Sequence, residues 1–180
     1  MKPANASLAD HACLATAVSA VPAALAVSLE RLRASVGAEI GVTPWESFDQ
    51  VQVSAYGAMT GEDLWIHTDP VRAAGSRFGS TIVQASLLMA RFGSWIQACG
   101  VWLPEPAVPL NYGYDRVRIL GALPVGEPVR ARVTVKQLCE TADSVRLYLL
   151  LEVQRPDKDW PVISAEWIVM FLLPHGHCDP

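Results

Sequence analysis

A chain of 180 residues, 51% hydrophobic and 18% charged, has the length of one domain and enough apolar material for a core of its own. Its net charge of −4 and the absence of any basic run exclude electrostatic capture of nucleic acid. The four cysteines, Cys13, Cys99, Cys139 and Cys178, are scattered without a C-x-x-C pair. That pattern fits reduced thiols in a cytoplasmic protein and speaks against a disulfide framework or a zinc site.

In chain order, the apolar stretch from Ala12 to Leu29 comes first. It is built mostly of Ala and Val, with Thr16, Ser19 and Pro22 inside it. It is too weakly hydrophobic for a bilayer span, and Asp10 and His11 precede it where a secretory signal carries positive charge. Residues 1–36 are therefore expected to form an Ala-rich helical extension, with Leu29 to Val36 as a short amphipathic helix that keeps Glu30, Arg31 and Arg33 wet. Residues 37–174 are expected to form the domain, and 175–180 a tail. Gly37 and Gly41 punctuate an extended segment ending in Pro44 and Trp45. Phe48 to Met59 suits a helix capped by Asp49, although the alternation of Val51 and Val53 also permits a strand. Thr60-Gly61 ends that element with turn chemistry.

Gly79 to Gly100 is expected to be a helix, apolar on nearly every face, with Ile82, Leu87, Leu88, Phe92 and Trp95 and only Arg91 and Gln97 as polar breaks. A helix of that kind must be enclosed on most sides, as inside a curled sheet. Pro104, Pro106 and Pro109 then predict a loop without regular structure. From Asn111 the period becomes two. Tyr114 to Leu120, Val129 to Leu138, Val145 to Val153 and Val162 to Leu173 read as strands, and short polar connections make them an antiparallel meander. The fold class is thus α+β, without the βαβ rhythm of a Rossmann fold.

The segment from Thr60 to Pro70, TGEDLWIHTDP, is the candidate for chemistry. Glu62 and His67 straddle a turn, and a water held between a carboxylate and an imidazole can lose a proton to one while the other manages the second transfer. The helix that follows can start between Gly79 and Ala85, aiming unpaired N–H groups toward the same region, where they would polarise a carbonyl. His175, His177 and Cys178 gather in the tail, a weak basis for a metal site.

This segment resembles the motif of the MaoC-like (R)-specific enoyl-CoA hydratases and dehydratases, in which Thr-Gly-Asp precedes a histidine followed by Asp-Pro. The resemblance includes Gly37, Gly41 and Trp45 upstream and Phe78-Gly79-Ser80-Thr81-Ile82-Val83 at the opening of the central helix. It continues through Asn111-Tyr112-Gly113-Tyr114-Asp115-Arg116-Val117-Arg118 and Pro124-Val125-Gly126, ending near Ala165-Glu166-Trp167. It implies a hot-dog fold, an antiparallel sheet wrapped around a long central helix, usually dimeric. It also implies addition of water to, or removal from, a 2-enoyl or 3-hydroxyacyl thioester. His67 matches the family histidine. Glu62 takes the place of the aspartate, Gln84 that of a histidine, and Ala85 that of the glycine whose amide polarises the thioester carbonyl. Asp63 and Trp65 are further candidates for substrate contact.

No metal or redox cofactor is expected, CoA or phosphopantetheine entering only as the substrate's carrier. The expected partners are the acyl thioester, a second copy of the chain in a homodimer and an acyl carrier protein, with neither nucleic acid nor membrane. Two rival readings keep the fold. The altered site could cyclise or isomerise a polyketide-like intermediate, or the domain could bind an acyl thioester without catalysis.

Overall fold

The computed structural model describes residues 27–104 and 106–174. The Ala-rich stretch 1–26 and the tail 175–180, with its His175, His177 and Cys178, lie outside the described residues. The first described element is helix α1 (Leu29–Ala34), capped by the Ser28 side chain. It belongs to the body of the fold: Leu32 is fully buried, and Arg33 makes paired contacts of 2.7 and 2.6 Å to Glu140.

Strand β1 (Glu39–Val42) follows, then helix α2 (Gln50–Thr60). Asp49 and Gln52 cap each other reciprocally at the start of α2, and Gly61 closes it at φ +77°, a backbone state natural to glycine. These end signals decide for helix over the alternation of Val51 and Val53. Two short helices come next, α3 (Trp65–Thr68) and α4 (Pro70–Ala74). Asp69 caps α4 by accepting from the Arg72 amide, and Pro70 takes the first helical position, where its missing N–H is not needed.

The single helix expected from Gly79 to Gly100 is shorter and interrupted. Its regular parts are α5 (Ala85–Ala90) and α6 (Phe92–Ala98). Residues before Ala85 cannot join it because their amides are spent elsewhere: Ile82 N–H donates to Ile66 O, and Val83 N–H to Leu123 O. Arg91 marks the interruption. Its amide donates three residues back to Leu88, and the Ser94 hydroxyl donates to its carbonyl, a side-chain competitor for the helical ladder.

The sheet contains β2 (Val108–Ile119), β3 (Arg130–Glu140), β4 (Ser144–Gln154) and β5 (Ile163–Leu172). All pairings are antiparallel, and the order is β1-β3-β4-β5-β2. β3, β4 and β5 form the expected meander. β2 begins earlier than the proline pattern predicts and takes in Pro109, which pairs with Phe171. The correction has a simple cause: β2 is an edge strand, and an edge tolerates a residue with no N–H to give the ladder.

On β3, Ala131, Val133 and Val135 face inward and are fully buried, while Arg130, Arg132 and Thr134 alternate with them on the wetter face. The inner face packs on Leu88, Phe92, Trp95 and Ile96 of α5 and α6 in one continuous core. Phe92 lies 5.9–6.2 Å, ring centre to ring centre, from Trp95, Tyr114 and Trp167. The architecture is α+β, a helix held against the inner face of a five-stranded antiparallel sheet, the hot-dog arrangement. What matters for the site is the junction it creates, where α3, the extended 81–84 segment and the β2–β3 connection meet at the start of α5.

Candidate active site

His67 occupies the C-terminal half of α3 and is 5% exposed. Its Nδ1 lies 2.7 Å from the backbone carbonyl oxygen of Ile82. A carbonyl can only accept, so the neutral ring carries its proton on Nδ1, and the lone pair is on Nε2. Nε2 is 4.0 Å from Glu62 Oε1. That separation is too long for a direct hydrogen bond. It suits an intervening oxygen: two contacts of about 2.8 Å to a shared water would meet at roughly 90°.

Glu62 follows the Gly61 turn, and its second oxygen, Oε2, accepts from the Ser86 hydroxyl at 2.7 Å. The carboxylate is thus held from the far side while Oε1 is turned toward the imidazole. Both groups line a cavity of about 310 Å³. Ala85, at the first position of α5, contributes to the same wall. An amide in a helix's first turn has no intrahelical acceptor, which leaves it free to donate to a bound carbonyl. The remaining walls are mainly apolar, from Ile82, Val83, Leu88, Ile163 and the β2–β3 connection between Ile119 and Leu123. That connection is drawn in by Gly121, where a Cβ would stand 2.7 Å from the Trp160 ring.

A polar layer behind the cavity fixes the backbone of these groups. Gln50 Nε2 donates to the carbonyl of His67 at 2.7 Å, while its Oε1 accepts from the Thr81 hydroxyl at 2.6 Å. One side chain of α2 therefore ties the main chain of His67 to the strand-like segment that supplies the Ile82 carbonyl. Gly57 lets the Glu62 turn come close, since a Cβ there would lie 2.9 Å from the Glu62 carbonyl oxygen.

Of the residues singled out in the sequence, Glu62, His67 and Ala85 share the cavity, and Gln84, Asp63 and Trp65 are not among its walls. Gln84 is fully buried as the residue preceding α5, and its Nε2 donates to the Val53 carbonyl at 3.0 Å. Its Oε1 has no hydrogen-bond partner. Asp63 offers its backbone carbonyl to the Thr68 hydroxyl, and Trp65 lies beneath the Arg72 guanidinium, 4.4 Å from ring centre to cation. Gln50, Gly57, Ser86 and the Ile119–Leu123 wall escaped the sequence reading. Their parts in the site exist only through contacts between distant segments, and nothing in their local pattern announces them. Among the described residues no three His, Cys, Asp or Glu side chains gather as a metal-ligand set, and no helix is long and apolar enough to cross a membrane.

Comparison with known proteins adds a second line. The MaoC like domain family matches residues 31–149. The 3-hydroxyacyl-thioester dehydratase Z of Mycobacterium tuberculosis is 31% identical over 148 residues, which cover 81% of this chain and 96% of that protein. Nodulation protein N of Rhizobium leguminosarum bv. viciae is 29% identical over 147 residues, 80% of this chain and 91% of its own. Among solved structures, the (R)-hydratase from A. caviae involved in PHA biosynthesis superposes with a TM-score of 0.59 at 24% identity, covering 77% of this chain and 96% of that one.

Proposed function

This chain belongs to the MaoC like domain family, and we propose that it is a hydratase/dehydratase acting on a 2-enoyl or 3-hydroxyacyl thioester carried by CoA or an acyl carrier protein. The observation that carries the reading is the gap between His67 Nε2 and Glu62 Oε1, two basic atoms 4.0 Å apart on the wall of one apolar cavity.

In the hydration direction, a water in that gap bonds through oxygen to C3 of the enoyl group. One of its protons passes to the Glu62–His67 pair, and the C2–C3 π electrons move toward the thioester oxygen. Glu62 positions or deprotonates the water, and His67 manages the proton delivered to C2. The pair ends as it began, and the net change is one water added across the double bond. The Ala85 amide donates to the thioester oxygen as negative charge gathers on it. Dehydration is the same path reversed. The thioester makes C3 electrophilic, so the residues need supply only orientation, proton transfer and charge stabilisation.

Asp63, Trp65 and Gln84 are proposed to act on substrate only indirectly, through the turn and helix start that they help to build. The active unit is proposed to be a homodimer. Support comes from edge strand β2, which leaves Val108, Leu110, Tyr112 and Ile119 exposed along an unpaired ladder. Sedimentation at the mass of one chain would remove that part of the reading. The cytoplasm is the proposed compartment, consistent with the free thiols of Cys99 and Cys139.

The test is a panel of short, medium and branched 2-enoyl-CoA thioesters, followed by loss of the conjugated absorbance. Turnover is expected in the wild type and a fall of about 10²–10⁴-fold in His67→Ala. A folded wild type inert toward the whole panel and toward carrier-protein thioesters would favour redirected chemistry or simple binding.

A further inference from the structure

Resting on the hydratase reading of this site, we infer that Ser86 is a positioning residue for the reaction: its hydroxyl sets the orientation in which Glu62 presents Oε1 to the shared water.

Glu62 needs such a device. A glutamate has three side-chain torsions, and this one is 41% exposed, so packing alone does not select a rotamer. It leaves the chain just after the Gly61 turn, outside any helix or strand. Ser86 does confine it. The hydroxyl lies 2.7 Å from Oε2, and a hydroxyl facing an ionised carboxylate must be the donor. Pinning one oxygen fixes the plane of the group, and the other oxygen then faces His67 Nε2 at 4.0 Å. Without the pin, Glu62 can swing into solvent, or close the gap and bond Nε2 directly, which would displace the water the reaction needs.

The neighbouring positions show why Ser86 is suited to this. Gln84, two residues earlier, is turned away to the Val53 carbonyl, and Ala85 has no side-chain donor. Ser86 is the second residue of α5, whose start is anchored through Gln84 and through the Val83 amide on Leu123. A short hydroxyl on a fixed backbone is a stiffer pin than a long amide or a lysine would be. Ser86 is not among the residues that line the cavity, and its hydroxyl meets the site through Glu62.

Two measurements on Ser86→Ala and Ser86→Thr test this. A crystal structure of Ser86→Ala should show Glu62 in more than one rotamer, or with Oε1 displaced from its place beside His67, whereas Ser86→Thr should retain the wild-type carboxylate. In kinetics, Ser86→Ala should lose about ten- to a hundredfold in kcat with little change in KM, and Ser86→Thr should recover most of it. The crystallographic arm does not depend on the hydratase reading. An unmoved, singly ordered Glu62 in Ser86→Ala would overturn the inference even if the enzyme hydrates thioesters. A displaced Glu62 in a protein with no thioester turnover would leave the pin intact and remove the reaction. Wild-type kcat in Ser86→Ala would also overturn it.

Discussion

Two polar layers meet at the start of α5, and they are built on opposite plans. In the layer behind the cavity the side chains are tied: Gln50 joins His67 to Thr81 with contacts of 2.7 and 2.6 Å, and Gln84 reaches Val53 at 3.0 Å. In the layer facing the cavity, the two groups that matter most to each other are not bonded; His67 Nε2 and Glu62 Oε1 stop at 4.0 Å. Each is secured on its far side, by Ile82 and by Ser86. A cross-tied layer holds shape, and a gap between two polar groups leaves room for a reactant. On the proposed reading, Gln84, a departure from the family pattern beside the site, should matter less to the chemistry than any shift of Glu62.

The layers can be separated by substitution. Gly57→Ala attacks the junction from behind, placing a Cβ 2.9 Å from the Glu62 carbonyl and 3.3 Å from Gln84 Nε2. The turn must move, and a displacement near an ångström costs up to about a hundredfold in rate. Overpacking costs about 1–3 kcal/mol, partly offset by the roughly 1 kcal/mol that alanine gains over glycine inside a helix. Activity should therefore fall much further than the melting temperature. Comparison of kcat with thermal unfolding checks this; equal kcat in the two proteins would show that the turn yields without moving the carboxylate.

Gln84→Met should do much less. It loses one hydrogen bond, a net contribution of about 0.5–1.5 kcal/mol, and removes a buried unpaired Oε1 that itself costs about 1–3 kcal/mol. Val53, inside α2, keeps its helical acceptor role. Stability within about 1 kcal/mol of wild type and kcat within about threefold are expected. A collapse of activity in a stable Gln84→Met protein would place Gln84 in contact with substrate after all.

The smallest effect concerns α6, away from both layers. Burial is the main cause that pushes the Cys99 thiol up to about 11, with the Glu39 carboxylate adding to it. Gly41 packs so close that a Cβ there would fall 2.9 Å from the Cys99 Cβ. A folded-state value above the ordinary 9.0 means that the stabilisation from this thiol is complete below pH 9 and declines as pH rises toward 11. At pH 8, Cys99 should be alkylated more slowly than Cys139, read by peptide mass spectrometry under native conditions. Equal rates would mean that the end of α6 opens readily.

How far the sequence carried the fold is clear from particular elements. The capping signals of α2 and the alternation in β3 are local, and they were legible. The start of α5 was not, because the amides of Ile82 and Val83 are claimed by Ile66 and Leu123, partners far away in the chain. Pro109 misled for a related reason: whether a proline can enter a strand depends on which edge that strand occupies. In the site, Glu62 and His67 stood out because they share one turn, and Ala85 because it stands where the resemblance places an oxyanion donor. Gln50, Gly57 and Ser86 act on them from 17, 5 and 24 residues' distance respectively, and no local pattern announces such contacts.

The pairing of Glu62 and His67 on one water is tested most directly by a double-mutant cycle in kcat/KM on a 2-enoyl-CoA that the wild type hydrates. Glu62→Gln, His67→Ala and the double variant should each lose about as much as the others, because neither residue can activate the water without its partner. Losses that multiply in the double variant would contradict the shared water and assign the two side chains to independent tasks.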